Sequence, residues 1–264
     1  MRLSVDHRTR YRFAFPRSRL VQLLRLTPDD DDDQTVTHWD VHVDHDARLR
    51  TGRDGFGNRT VMLYVEGPVE TIELTVTGEV LTSLTDGVVH GAVEPLPPAL
   101  YLRGTDLTPA IPPLAAFAAD VCGGTPDAVE RLHRLNGALH RHCDWQTEGG
   151  PRGASRAFEQ QAGAAADLAH IFMVAARSLG LPARYVSGYR AASGDLATPH
   201  AWAESFVAGL GWVTFDPTTG LSADKAYIRV AAALDAAGAA PLAGPGWGEP
   251  VASTADPMQG AAQD

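Results

Sequence analysis

The period of the hydrophobic pattern changes once along this 264-residue chain, and that change limits the folds open to it. From Met1 to about Thr85, "RLSVDHRTRYRF", "VTHWDVHVD", "NRTVMLYVEG" and "VETIELTVTGEVLTS" alternate apolar and polar residues and are rich in Val, Thr, Tyr and Phe. Successive side chains of a strand point to opposite faces, so this alternation marks half-buried strands; the turn signal "DGFGN" (54–58) makes neighbours antiparallel. A proline-rich stretch follows, from about His90 to Pro113. Beyond it the spacing is helical: Val129, Leu132, Leu135 and Leu139 recur at three and four residues. A second helix is expected from about Ala164 to Leu179, stopped by Gly180 and Pro182. "ARYVSGYR", "HAWAESFV", "GWVTFDP" and "YIRVAAALD" then read as strands. The pattern predicts an α+β chain: a sandwich-like antiparallel β domain over 1–88, a linker over 89–113, a helix-on-antiparallel-sheet module over 114–243, and a disordered tail over 244–264.

A formal net charge of −10 sets phosphates against most of the surface and argues against a nucleic-acid or anionic-membrane binder. No apolar run reaches the length of a membrane span, and "MRLSVDHRTRYRF" lacks the apolar block of a secretory leader, so the cytoplasm is the expected compartment. Cys122 and Cys143 are too few for a disulfide scaffold and are expected as free thiols. The acidic run Asp29–Asp33 reads as a solvated loop.

Three separated stretches carry chemistry: "GAAADLAH" (163–170), "HAWAE" (200–204) and "FDPTTG" (215–220). The segment from Gly163 to Pro217 resembles the bacterial transglutaminase-like superfamily, and the amino-terminal strands resemble the small β domain that commonly precedes it. The resemblance implies a papain-like core with a cysteine at the amino end of a helix and a histidine and an aspartate on successive strands, used for hydrolysis or transfer at amide bonds. By motif match His200 takes the place of the base and Asp216 that of its orienting carboxylate. The family's glycine, any residue, cysteine, any residue, aspartate reads here Gly163, Ala164, Ala165, Ala166, Asp167, so Ala165 stands where the nucleophile is expected.

Physical reasoning supports that mapping. The first turn of a helix presents unpaired N–H groups that favour a thiolate and a developing oxyanion. His200, Trp202 and Glu204 share one strand face, and a turn near Gly209–Gly211 returns the chain so that Asp216 lies nearly opposite His200, with diagonal neighbours roughly 7–8 Å apart. An aspartate fixes the imidazole tautomer, and the pair can then take a proton from a thiol and return it to a leaving amine. The alanine methyl has no proton to give and forms no acyl-enzyme.

Neither Cys143, at the end of the preceding helix, nor Cys122, assigned to the linker region, has a helix-start setting, and Ser155 and Ser205 lack a nucleophile elbow. His170 is expected to be structural. His133, His140, His142 and Cys143 cluster without recurrent zinc spacing, and His42 and His45 fall on opposite strand faces, so no metal and no cofactor are assigned. The expected partner is a peptide or protein ligand. Two readings stay open: a thiol enzyme inactivated by Ala165, or a natural pseudoenzyme serving as a peptide- or protein-binding module.

Overall fold

A computed structural model describes residues 1–84, 86–147, 149–244 and 249–255. Two long strands, β1 (Arg2–Leu24) and β4 (Arg59–Thr82), pair antiparallel along nearly their whole length. Their register breaks between Arg12 and Arg19, opposite Gly67 and Pro68. A Cβ on Gly67 would lie 2.0 Å from the Arg17 carbonyl oxygen, so only glycine lets the two backbones approach this closely at the bend. The bend divides the work of β4: its carboxyl half pairs with β2 (Gln34–Val43) and its amino half with β3 (Ala47–Arg53). The two strands expected around Gly67 are thus one bent strand, and the domain is a single curled sheet.

The proline-rich stretch is tied down along its course. Val88 bridges to Val213, and Tyr101, in a short 3-10 turn over Pro98–Leu102, is buried with its ring 5.1 Å from Trp212. Three helices follow: α1 (Pro112–Cys122), α2 (Ala128–His142) and α3 (Ala154–Gln160). Cys122 therefore lies on a helix and not in the linker. The two-residue strands β5 (Asp144–Trp145) and β6 (Ala162–Gly163) pair in parallel and deliver the chain to α4 (Ala165–Ser178). Every residue of α4 from Asp167 to Ala176 is buried, the signature of a central helix.

Helix α4 packs on an antiparallel sheet ordered β10 (Tyr227–Ala233), β7 (Ala183–Arg190), β8 (Thr198–Val207), β9 (Gly211–Phe215). Phe172 of α4 stacks on Phe215 of β9 with centroids 5.0 Å apart. The chain then returns to the first domain. β11 (Leu242–Ala243) and β12 (Glu249–Ala255) both pair antiparallel with β1. This corrects the expected disordered tail over 249–255; the ladder is a backbone interaction, which the tail's composition does not announce. The rest of that tail, 245–248 and 256–264, lies outside the described residues.

The acidic run is a loop, but its carboxylates are engaged. Asp29 pairs with Arg53 and Arg59, Asp30 accepts from the Val36 N–H, and Asp31 accepts from the N–H groups of Asp33 and Gln34. The run is a loop as expected, with Asp30 and Asp32 exposed, and the bonded carboxylates of Asp29, Asp30 and Asp31 also order the turn into β2.

Candidate active site

The register Ala203↔Phe215 between β8 and β9, carried one residue further, sets Asp216 across from Trp202 and one diagonal step from His200. The imidazole and carboxylate meet there: His200 Nε2 and Asp216 Oδ2 are 2.7 Å apart. Asp216 is fully buried, and its oxygens are filled. Oδ2 also accepts from the Tyr227 hydroxyl at 2.7 Å, while Oδ1 accepts from the Thr218 N–H and hydroxyl at 2.9 and 2.7 Å. Burial pushes the Asp216 carboxyl up, but hydrogen bonds from His200, Thr218 and Tyr227 outweigh it and hold it below the usual carboxylate range. Desolvation, reinforced by the contact with the buried Asp216 carboxylate, raises the Tyr227 phenol. With Nε2 committed to Asp216, Nδ1 is the nitrogen left to serve a reactant.

Ala165 is the first residue of α4, preceded by Ala164, whose side chain caps nothing. Among the described residues nothing accepts from the backbone N–H of Ala165 or Ala166, so the helix tip offers two donors. Asp167, two residues on, is fully buried and faces the incoming loop, where Oδ1 accepts from the N–H groups of Arg152 and Gly153 at 2.7 and 3.1 Å. A Cβ on Gly163 would come within 2.6 Å of the Asp167 Cβ, which explains glycine at that place.

Ala165 and His200 line one cavity of about 280 Å³, together with Trp145, Gln146, Tyr185 and Tyr189. The Trp145 ring stands edge-on to His200 with centroids 6.2 Å apart. The structure thus brings Ala165, His200 and Asp216 to one place. It leaves the other nucleophile candidates elsewhere. Cys122 and Cys143 are buried outside the cavity, and desolvation raises both thiols, Cys143 to about 11. Ser205 is buried and donates to the Pro182 carbonyl; Ser155 sits on α3, 3.5 Å from Glu159.

The histidines separate in the same way. His140 Nδ1 contacts the Pro217 carbonyl, His142 packs against Phe117 and Phe158, which also touch each other, and His133 packs on Phe215. No group of metal-ligating side chains occurs among the described residues. His170 is fully buried, its Nε2 accepts from the Ala236 N–H at 3.0 Å, and desolvation lowers it to about 4.

Sequence reasoning missed Thr218, Tyr227, Trp145 and the amino-terminal residues His7 and Arg25 that also line the cavity. Thr218 had a signal, a hydroxyl two residues after an aspartate in a turn. The others had none, since proximity between segments distant in the chain leaves no mark on local spacing.

A helix tip, an imidazole and a buried carboxylate on neighbouring strands define a papain-like site. Residues 115–217 match the transglutaminase-like superfamily, and residues 3–81 match the bacterial transglutaminase-like N-terminal region. The chain thus carries a transglutaminase-like core preceded by a bacterial transglutaminase-like N-terminal region. It is 26% identical over 273 residues to an uncharacterised protein of Mycobacterium leprae, covering 92% of each chain. It is 27% identical over 285 residues to one of Mycobacterium tuberculosis, covering 92% of this chain and 87% of the other. Among solved structures, a candidate cysteine protease from Cytophaga hutchinsonii superposes with a TM-score of 0.77 at 17% identity, over 97% of this chain and 89% of that one, a likeness of fold.

Proposed function

We propose that this protein binds an amide-containing ligand, a peptide or a segment of a protein, in the cleft between Ala165 and His200, and does not form a covalent intermediate with it. The observation that carries this reading is the methyl of Ala165 at the helix tip, in the same cavity as an intact His200–Asp216 couple. The two free N–H groups at the start of α4 suit a ligand carbonyl, and His200 Nδ1 suits the neighbouring amide group. Both thiols of the chain are buried and raised, so neither supplies the missing sulfur.

Trp145 lines the cleft and is 44% exposed, so its fluorescence reports occupancy. Titration with N-acetylated glutamine peptides is expected to give saturable binding with neither ammonia release nor peptide cleavage above the buffer rate. Turnover by the protein carrying Ala165 contradicts the reading. The intact couple supports a second reading, a hydrolase or acyltransferase lacking only its nucleophile. Under it, the Ala165→Cys variant releases ammonia or amine from the same peptides.

A further inference from the structure

The cavity has a wall from the amino-terminal domain: Arg25 and Leu26, just beyond the end of β1, line it together with Ala165 and His200. Arg25 is only 9% exposed. Its Nε donates to Asp54 Oδ2 at 2.7 Å, and its backbone N–H is anchored to the Pro241 carbonyl at 2.8 Å. The guanidinium carries five N–H donors, and this ion pair uses one. Nη1 is buried and has no acceptor among the described residues. Asp54 does not fill the gap, because its oxygens also receive the Phe56 N–H, the Asn58 N–H and the Asn58 amide at 3.0, 3.1 and 3.1 Å.

A buried guanidinium whose Nη1 is unpaired is costly unless an acceptor arrives to meet it. Arg25 lines the cavity, so a ligand held there lies beside it, and the planar fork of a guanidinium matches the two oxygens of a carboxylate. We propose that Arg25 is the carboxylate subsite of this cleft, selecting ligands that present a free carboxylate as well as an amide. The amino-terminal domain thereby contributes specificity directly to the site. This inference rests on the reading of the cleft as an amide-binding site and adds the ligand's charge to it.

The test uses the full chain and N-acetylated glutamine peptides of two to five residues, each prepared as the free acid and as the carboxyl-terminal amide. At least one length is expected to bind about tenfold or more tightly as the acid, the strength of a charge-assisted hydrogen bond. Arg25→Met is expected to cut that acid-over-amide advantage to less than about twofold. Asp54 keeps its three other donors in that variant; should it still fail to fold, Arg25→Lys, which retains the charge without the fork, is expected to lose most of the advantage. Equal affinity for acid and amide at every length overturns the role of Arg25 and leaves the amide cleft standing. An advantage that survives Arg25→Met overturns it as well. Failure of every peptide to bind in either form overturns the amide-cleft reading and this one together.

Discussion

Asp216 accepts four hydrogen bonds while fully buried, so it holds the fold as well as the imidazole. Removing a buried acceptor leaves its donors unpaired, at a cost of about 1–3 kcal/mol for a single group and more for several. Asp216→Ala is therefore expected to lose on the order of 3 kcal/mol in urea unfolding, which disproves a merely orienting role for the carboxylate if observed. His170 makes a different demand. Its folded-state value of about 4 lies below the ordinary 6.5, so between those limits the unfolded chain binds the extra proton. The stability it supports is complete above pH 6.5, declines as pH falls toward 4, and amounts to about 3 kcal/mol over that window. His170→Gln keeps an acceptor for the Ala236 N–H without titrating there, and is expected to flatten the slope of unfolding free energy between pH 6.5 and 4.

Among the elements, β7, β8 and β10 are bound by charge as well as by their ladders. Glu204 on β8 is fully buried between Arg184 of β7, at 2.6 Å, and Arg229 of β10, at 2.9 Å. Arg184 in turn pairs with Glu94 through both Nη atoms and lies over the Trp212 ring, 3.8 Å from its centroid. Burial alone would push the Glu204 carboxyl up; the two guanidinium groups reverse that and hold it at about 2. The stability stored there is fully present above pH 4.5 and is lost as pH falls toward 2. Breaking a buried pair strands the partner charges, so Glu204→Gln is expected to cost about 3–5 kcal/mol in equilibrium unfolding. A loss below about 1 kcal/mol would place the pair with exposed ones such as Arg2–Glu79.

The elements themselves were readable in the sequence because each has a local period: α2, α4 and the strands of the second sheet fall where the spacing put them. Helices α1 and α3 were not read. The proline-rich approach to α1 masked its start, and α3 is a single short segment of seven residues without an apolar stripe. The couple of His200 and Asp216 was legible because hairpin register is arithmetic. The Glu204 network was only half legible: its shared face with His200 could be counted, but Arg184, Arg229 and Glu94 come from strands and a loop whose neighbours no local pattern specifies.

At the scale of the whole molecule, the two domains are interlocked. Asn58 exchanges two hydrogen bonds with the backbone of Ala232, Gln34 does the same with Arg229, and the chain's later strands β11 and β12 return to β1. The central claim is that this interlocked fold places the helix tip at position 165 before a working His200–Asp216 couple. Alkylation by iodoacetamide tests it most directly, with the Ala165→Cys variant compared with Ala165→Cys/His200→Ala. The introduced thiol is expected to react at least about a hundredfold faster than Cys122 and Cys143, whose burial raises them, and to keep reacting below pH 7, with that low-pH reactivity lost when His200 is removed. A thiol at position 165 that reacts no faster than the two buried cysteines, or whose rate is indifferent to His200, would contradict the claim.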